Sequence, residues 1–421
     1  MGQARHAEDP GRAAAARTAW AIAPGVFLAG VGGGIVFPIL PLAGLATGLA
    51  PALVGVILAA NRLTRVLSNP FVGHLVDRFG GKRLVVAGLV VETLVMGLYW
   101  WGLSSRAVAV LFLLGRALWG PASAGIFIGG QTLALQAGGR EHRGLTAGIV
   151  RAAQSLGTPS GMVLGGLAAQ WLGEADAFLV GAAASLVAAL VALVRLPDHR
   201  ATRAGHARRF RDLFASLQDR RVDALALLNF TGFFAVQGLL LATLELVIQA
   251  RRVHWAHLAP SALAGLLMAA LLAAGAVAMG FAARLSDRVP SRAGVSTAGL
   301  VLLVPGFALL AGSDRMPLLV ASLVLIGLGM GILNGPLLAL LGDVVPTRRG
   351  EAVGCVQLFG DMGGTLGPVV GTTAVAAFGA RDPYWATAVL SLAAVPLGVW
   401  LVATERRTLV RSAVGPPPAA P

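Results

Sequence analysis

Seven ionisable side chains sit inside stretches that are otherwise almost wholly apolar: Arg62, Arg65, Glu92, Arg116, Arg151, Glu245 and Asp361. A charge left unpaired in hydrocarbon costs several kcal/mol, so such residues point to function before they point to structure. A carboxyl in a low-dielectric cavity can take up and release a proton near neutrality, and Asp361, Glu92 and Glu245 are the candidate proton-coupling acids. Asp361 has no basic residue near it in its own stretch, whereas Glu92 faces a structural alternative, pairing with Arg62. Glu245 lies near one end of its stretch, where interfacial water is within reach. Arg116 is a permanent cation with a planar fork of donors, suited to exchanging partners between a substrate and a carboxylate. Arg62 and Arg151 are further substrate-binding candidates, and Arg65, one turn from Arg62, is placed to serve a gate.

Uncharged polar and aromatic residues extend the candidate binding set: Phe37, Gln131, Asn229, Phe230, Phe234, Gln237 and Asn334. Phe230, Phe234 and Gln237 share one face of an α-helix at i, i+4 and i+7. The competing explanation for each is ordinary helix packing. His254 and His257 flank Trp255 and read as an interfacial anchor rather than a metal pair.

These residues are carried by apolar segments. Of 421 residues 56% are hydrophobic and 12% charged, about half the charge of a soluble domain. A helix needs about 20 apolar residues to cross the hydrocarbon core, and twelve candidates recur: 18–42, 52–72, 84–103, 107–136, 145–171, 177–196, 222–249, 258–283, 294–312, 316–341, 351–378 and 384–403. In the uncharged run from Thr18 to Asn61, Pro41, Gly44, Gly48 and Pro51 predict a break between the first two. The runs are too long for barrel strands and do not alternate. The expected fold is an all-α membrane protein of twelve transmembrane helices.

Lys and Arg fix the expected orientation. Twenty-four of the 33 fall in segments on the side of the N-terminus and five on the other, which predicts that both termini are cytoplasmic. The net charge of +14 follows from that bias and from contact with anionic lipid; the arginines are spread over short loops and predict no nucleic-acid binding. Cys355 is the single cysteine, which excludes internal disulfides and cysteine-based metal sites. No nucleotide-binding G-x-x-x-x-G-K-[ST] loop, H-E-x-x-H or G-x-S-x-G motif is present; no enzymatic activity, metal or cofactor is expected.

The stretch 197–221 divides the chain into six spans and six. The predicted organisation is a tail 1–17, a bundle 18–196, a basic loop 197–221, a bundle 222–403 and a tail 404–421, whose Pro-rich end reads as an extension. The bundles repeat. Gly73-His-Leu-Val-Asp77-Arg78-Phe-Gly80-Gly-Lys82 aligns without a gap on Ala283-Arg-Leu-Ser-Asp287-Arg288-Val-Pro-Ser-Arg292, and Arg143-Gly144 with Gly148 matches Arg349-Gly350 with Gly354. Duplicated halves imply a pseudo-two-fold axis along the membrane normal and a central cavity.

The loop Gly73-x-Leu75-x-Asp77-Arg78-x-Gly80-x-Lys82-Arg83 resembles the signature of the major facilitator superfamily, with Gly81 where the family commonly has a base. The resemblance covers nearly the whole chain. Span 1 (Gly30 to Pro41), Arg116 with Gly120, and Gly157-Thr158-Pro159-Ser160-Gly161 are similar to motifs of the twelve-span drug:proton antiporters, although Thr158 separates a Gly and Pro usually adjacent. Gly367-Pro368 keeps that pair in the other half. The resemblance implies two pseudo-symmetric six-helix bundles and a cytoplasmic gate formed by Gly73, Asp77, Arg78, Gly80, Lys82 and Arg83, echoed by Asp287 and Arg288. In that gate Asp77 pairs with bases or faces a helix N-terminus, and the glycines let helix ends approach.

The function expected is secondary active transport, proton-coupled export of a small organic compound by alternating access. The alternative is proton-coupled uptake of an organic anion, because four intramembrane arginines outnumber three acids. A non-transporting receptor would have a damaged gate motif, and nothing resembles the selectivity filter of a channel. The expected partners are the small-molecule substrate, protons and membrane lipid, with a monomer as the working unit. Arginine outnumbers lysine 32 to 1, which suggests a GC-rich bacterial genome and hence a bacterial cytoplasmic membrane.

Overall fold

The computed structural model describes residues 10–105, 107–139, 142–196, 219–344 and 349–414. The arginines of the central basic loop between 197 and 218 and the Pro-rich tail from 415 lie outside the described residues. The elements are α1 (Pro10–Ile35), α2 (Leu40–Ala46), α3 (Pro51–Phe79), α4 (Gly81–Ser104), α5 (Val108–Ala137), α6 (Arg143–Leu172), α7 (Glu174–Arg195), α8 (Arg220–Gly232), a π-helical turn (Phe233–Leu240), α9 (Leu241–Ala250), α10 (Pro260–Ser286), α11 (Arg292–Gly312), α12 (Met316–Asn334), α13 (Leu337–Val344), α14 (Arg349–Phe378) and α15 (Asp382–Val414).

Ten helical stretches among the described residues are long and apolar enough to cross a membrane, counting α1–α2, α8–α9 and α12–α13 as one each. Two further helices, α6 and α14, are 30 residues long, or ~45 Å. They carry more polar residues, Arg151 and Gln154 in α6 and Gln357 and Asp361 in α14. Together these make the twelve spans of the expected fold.

The break between the first two spans lies where expected, at 47–50, with Gly48 at φ +86° and Pro51 opening α3; a second turn, not expected, interrupts the first span. α1 ends in a four-residue turn, 36–39, because Pro38 has no N–H to continue the ladder; Phe37 N–H donates to Gly34 O (3.2 Å) instead. Pro41 opens α2 rather than breaking it. The second half starts at Asp219, whose side chain accepts from Arg221 N–H (2.9 Å) and pairs with its guanidinium at 3.1 Å. Partial burial raises the carboxyl's pKa, but the Arg221 contacts outweigh it and hold the group below the usual carboxylate range.

The chain forms two compact units, one of residues 1–49, 60–208 and 258–269, the other of 50–59, 209–257 and 270–421. In the first, α1 and α6 cross on small residues. A Cβ added at Gly30 would fall 2.9 Å from Gly157 Cα, one at Gly34 2.2 Å from Thr158 O, and one at Gly161 2.0 Å from Val31 O. Spacing by four puts Gly30 and Gly34, and Gly157, Gly161 and Gly165, on facing stripes, the small-xxx-small seam by which membrane helices meet without polar side chains. In the second unit the π-helical turn lies on α14 in the same manner: a Cβ added at Gly238 would fall 2.7 Å from Gly367 Cα.

Candidate functional site

Four glycines of α1 serve three neighbouring helices. Gly30 and Gly34 face α6, while a Cβ at Gly33 would meet the Trp119 ring of α5 at 3.0 Å and one at Gly32 the Glu92 carboxyl of α4 at 2.2 Å. Glu92 is fully buried. The Ser185 hydroxyl of α7 and the Gly33 N–H of α1 are its nearest polar groups, yet neither carboxyl oxygen completes a hydrogen bond. The pairing with Arg62, the structural alternative for Glu92, does not form, since Glu92 turns towards α1 and α7. Arg62 and Arg65 are half-buried on α3.

Arg116 of α5 is 1% exposed. Its guanidinium lies 5.7 Å from the centre of the Phe37 ring, in cation–π range, and beside the Tyr99 hydroxyl, with Arg65 the nearest like charge. Tyr99 is braced by Phe112 (4.7 Å, stacked) and Phe178 (5.3 Å, edge-on). The close fit needs Gly115, where a Cβ would meet the Tyr99 ring at 2.5 Å, and Gly120, where one would meet Arg65 N at 2.7 Å. The break at 36–39 thus brings Phe37 to the arginine. Gln131 is half-buried on α5 with its Nε2 unbonded, and Arg151 stands on an exposed side of α6.

In the second unit Asp361 is 6% exposed on α14. Its neighbour Gly360 abuts Asn229 of α8, whose Nδ2 donates to Val356 O at 2.8 Å; Asn229 ties α8 to α14, and its donor is committed there. Phe230 and Phe234 stack at 5.9 Å, but the winding becomes π-helical from Phe233. The α-helical register assumed for Gln237 therefore does not hold, and a π segment within a span is a frequent companion of function. Asn334 Nδ2 donates within its own helix, to Met330 O at 3.0 Å. Glu245 is completely buried, so it does not reach interfacial water as its position near the span end suggested.

The gate motif differs between its two copies. Asp77 is half-buried and, among the described residues, makes no ion pair with Arg78, Lys82 or Arg83; Arg78 lies over the Phe79 ring at 5.1 Å. Gly73 has open space around it, contrary to the expected close approach, and Gly80 serves the turn with φ +87°. The close approach belongs to Gly81, whose Cβ would fall 2.7 Å from Gly129 O; a base common in the family at that position would not fit. The second copy is ion-paired through Arg292. Arg292 pairs with Asp287 (3.0 Å) and Asp343 (2.8 Å), and Glu405 accepts from Ser291 Oγ (2.6 Å), Arg292 N–H (3.0 Å) and Ala293 N–H (3.1 Å). Arg288 is exposed.

The sequence profile described as Major Facilitator Superfamily matches residues 22–263 and 253–420. The chain belongs to that superfamily. Among curated relatives, Multidrug resistance protein 2 of Bacillus subtilis is 28% identical over 173 residues, 41% of this chain and 42% of that one. The multi-drug resistance efflux pump PmrA homolog of Lactococcus lactis is 34% identical over 177 residues, 41% of each chain. The match spans about two-fifths of the length of these relatives. In fold the chain is similar to a bacterial homolog of the human lysosomal transporter Spinster, with a TM-score of 0.76 at 16% identity over 95% of this chain and 98% of that one.

Several residues of these superfamily bundles were not singled out from sequence. Ser185 is the lone hydroxyl in the middle of α7, a signal that was available. So was the scarcity of tyrosine: both tyrosines are fully buried, each beside an arginine, Tyr99 by Arg116 and Tyr384 by Arg251 (5.8 Å). Arg251 also donates to Leu310 O (2.7 Å) and pairs with Asp314 (3.6 Å). Nothing in the spacing of Asp343 and Glu405 pointed to their contacts.

Proposed function

We propose that the chain is a secondary active transporter of a bacterial cytoplasmic membrane, exporting a small organic compound in exchange for protons by alternating access. Superfamily membership and the efflux relatives support export; the 24-to-5 distribution of Lys and Arg supports cytoplasmic termini. The working halves are the bundles 18–196 and 222–403, acting as a monomer, with no cofactor. Glu92, Asp361 and Glu245 are the proton-carrying acids, and Arg116 with Phe37 orients cargo. Asp77 and the rest of the first loop gate the cytoplasmic side.

The enclosure of Glu92 carries the coupling. An anion held there without a hydrogen bond is costly, so the carboxyl holds its proton while Gly32 and Ser185 cover it and loses it when α1 moves away. In everted membrane vesicles energised acid-inside, the protein should accumulate ethidium, and collapsing the pH gradient with nigericin should release it. Accumulation indifferent to nigericin would contradict proton coupling.

A further inference from the structure

The second unit holds an apolar groove of about 380 Å³ between α10 and α11, floored by Ile332 of α12. That size lies in the range of ligand pockets. Its walls are Phe281 and Leu285 of α10, Val289 of the following turn, and Val295 and Ala298 of α11. Phe281 is 64% exposed and Val277, one turn away, 73%, so the groove opens along an apolar helix face of the kind that meets lipid tails.

Two arginines alternate with the lining residues at the polar end, Arg284 beside Leu285 and Arg288 beside Val289. Both are exposed, and among the described residues neither makes an ion pair. The acids of this turn are already engaged: Asp287 and Asp343 hold Arg292, and Glu405 is bonded to the start of α11. Arg284 and Arg288 do not line the groove, but both are exposed next in sequence to residues that do, which leaves two flexible guanidinium groups near its polar end for a phosphate, the chemistry that recognises an anionic headgroup.

We propose that this groove binds an anionic phospholipid, one acyl chain lying along Phe281, Leu285 and Ala298 and the headgroup phosphate on Arg284 and Arg288. The test uses the full chain in phosphatidylcholine nanodiscs with a trace of diazirine-tailed phosphatidylglycerol or diazirine-tailed phosphatidylcholine, cross-linked peptides being mapped by mass spectrometry. Labelling of the segment 277–298 should be several-fold stronger with the anionic probe. Ala298→Trp, at an exposed position that fills the groove, should remove that labelling. Arg284→Gln with Arg288→Gln should reduce it to the level of the zwitterionic probe while both variants keep their thermal stability. Equal labelling of the wild type by the two lipids would reduce the groove to ordinary lipid contact, and labelling unchanged by either variant would overturn the assignment.

Discussion

Gly32 of α1 leaves room for the carboxyl of Glu92 and for little else: a Cβ there would fall 2.2 Å from the Glu92 oxygen and 3.0 Å from Ser185 Oγ. The proposed proton site is thus covered by a helix, and uncovering it requires that helix to move. Glu92→Gln keeps the shape of the neutral acid and removes the proton. Uphill ethidium accumulation in energised vesicles should disappear, while downhill exchange of ethidium in the same purified variant persists at about the wild-type rate. Wild-type accumulation by Glu92→Gln would transfer the coupling to Asp361.

Asp361 is tested in the same way. Its flanks are Gly360, Gly363 and Gly364, and it is nearly buried. Asp361→Asn should abolish pH-driven accumulation and leave much of the exchange. Loss of both modes together would mark Asp361 as a packing or cargo-binding group.

Arg116 combines the Phe37 ring face with the Tyr99 hydroxyl, two contacts that suit a planar guanidinium and not an ammonium. Arg116→Lys should slow transport roughly tenfold or more, the equivalent of one charge-assisted hydrogen bond, and nearly as much as Arg116→Ala. Full activity with Lys would leave Arg116 as a point charge alone.

The α1–α6 seam gives a stability prediction. Gly161→Val drives a side chain into the Val31 carbonyl and should cost ~1–3 kcal/mol, read as a lowered midpoint of thermal unfolding in detergent. Gly148→Ala on the same helix meets open space and should leave the midpoint unchanged. Equal midpoints for the two variants would contradict the seam.

Much of this was legible in the sequence because a membrane span is written in composition. The twelve runs, the internal repeat and the buried charges all follow from hydropathy and residue type. What a glycine faces was not legible. Gly73 and Gly81 stand in one motif, yet only Gly81 meets a neighbouring backbone, and the four glycines of α1 look alike until α4, α5 and α6 are placed around them. Helical register was the other loss: the π-helical turn at Phe233 depends on packing against α14, so the periodicity that placed Gln237 with Phe230 could not reveal it. Glu245 was misplaced for a related reason, because distance from a span end does not give depth in a bundle.

Direction of coupling decides between export by antiport and uptake by symport. The purified protein, reconstituted in liposomes that contain the pH dye pyranine and have no imposed pH gradient, should be given an outward gradient of ethidium and, separately, of carboxyfluorescein. For the probe that is carried, cargo leaving the lumen should bring protons in, so the lumen acidifies, and Glu92→Gln should remove that signal. A lumen that turns alkaline as cargo leaves would show protons travelling with the cargo and would contradict antiport.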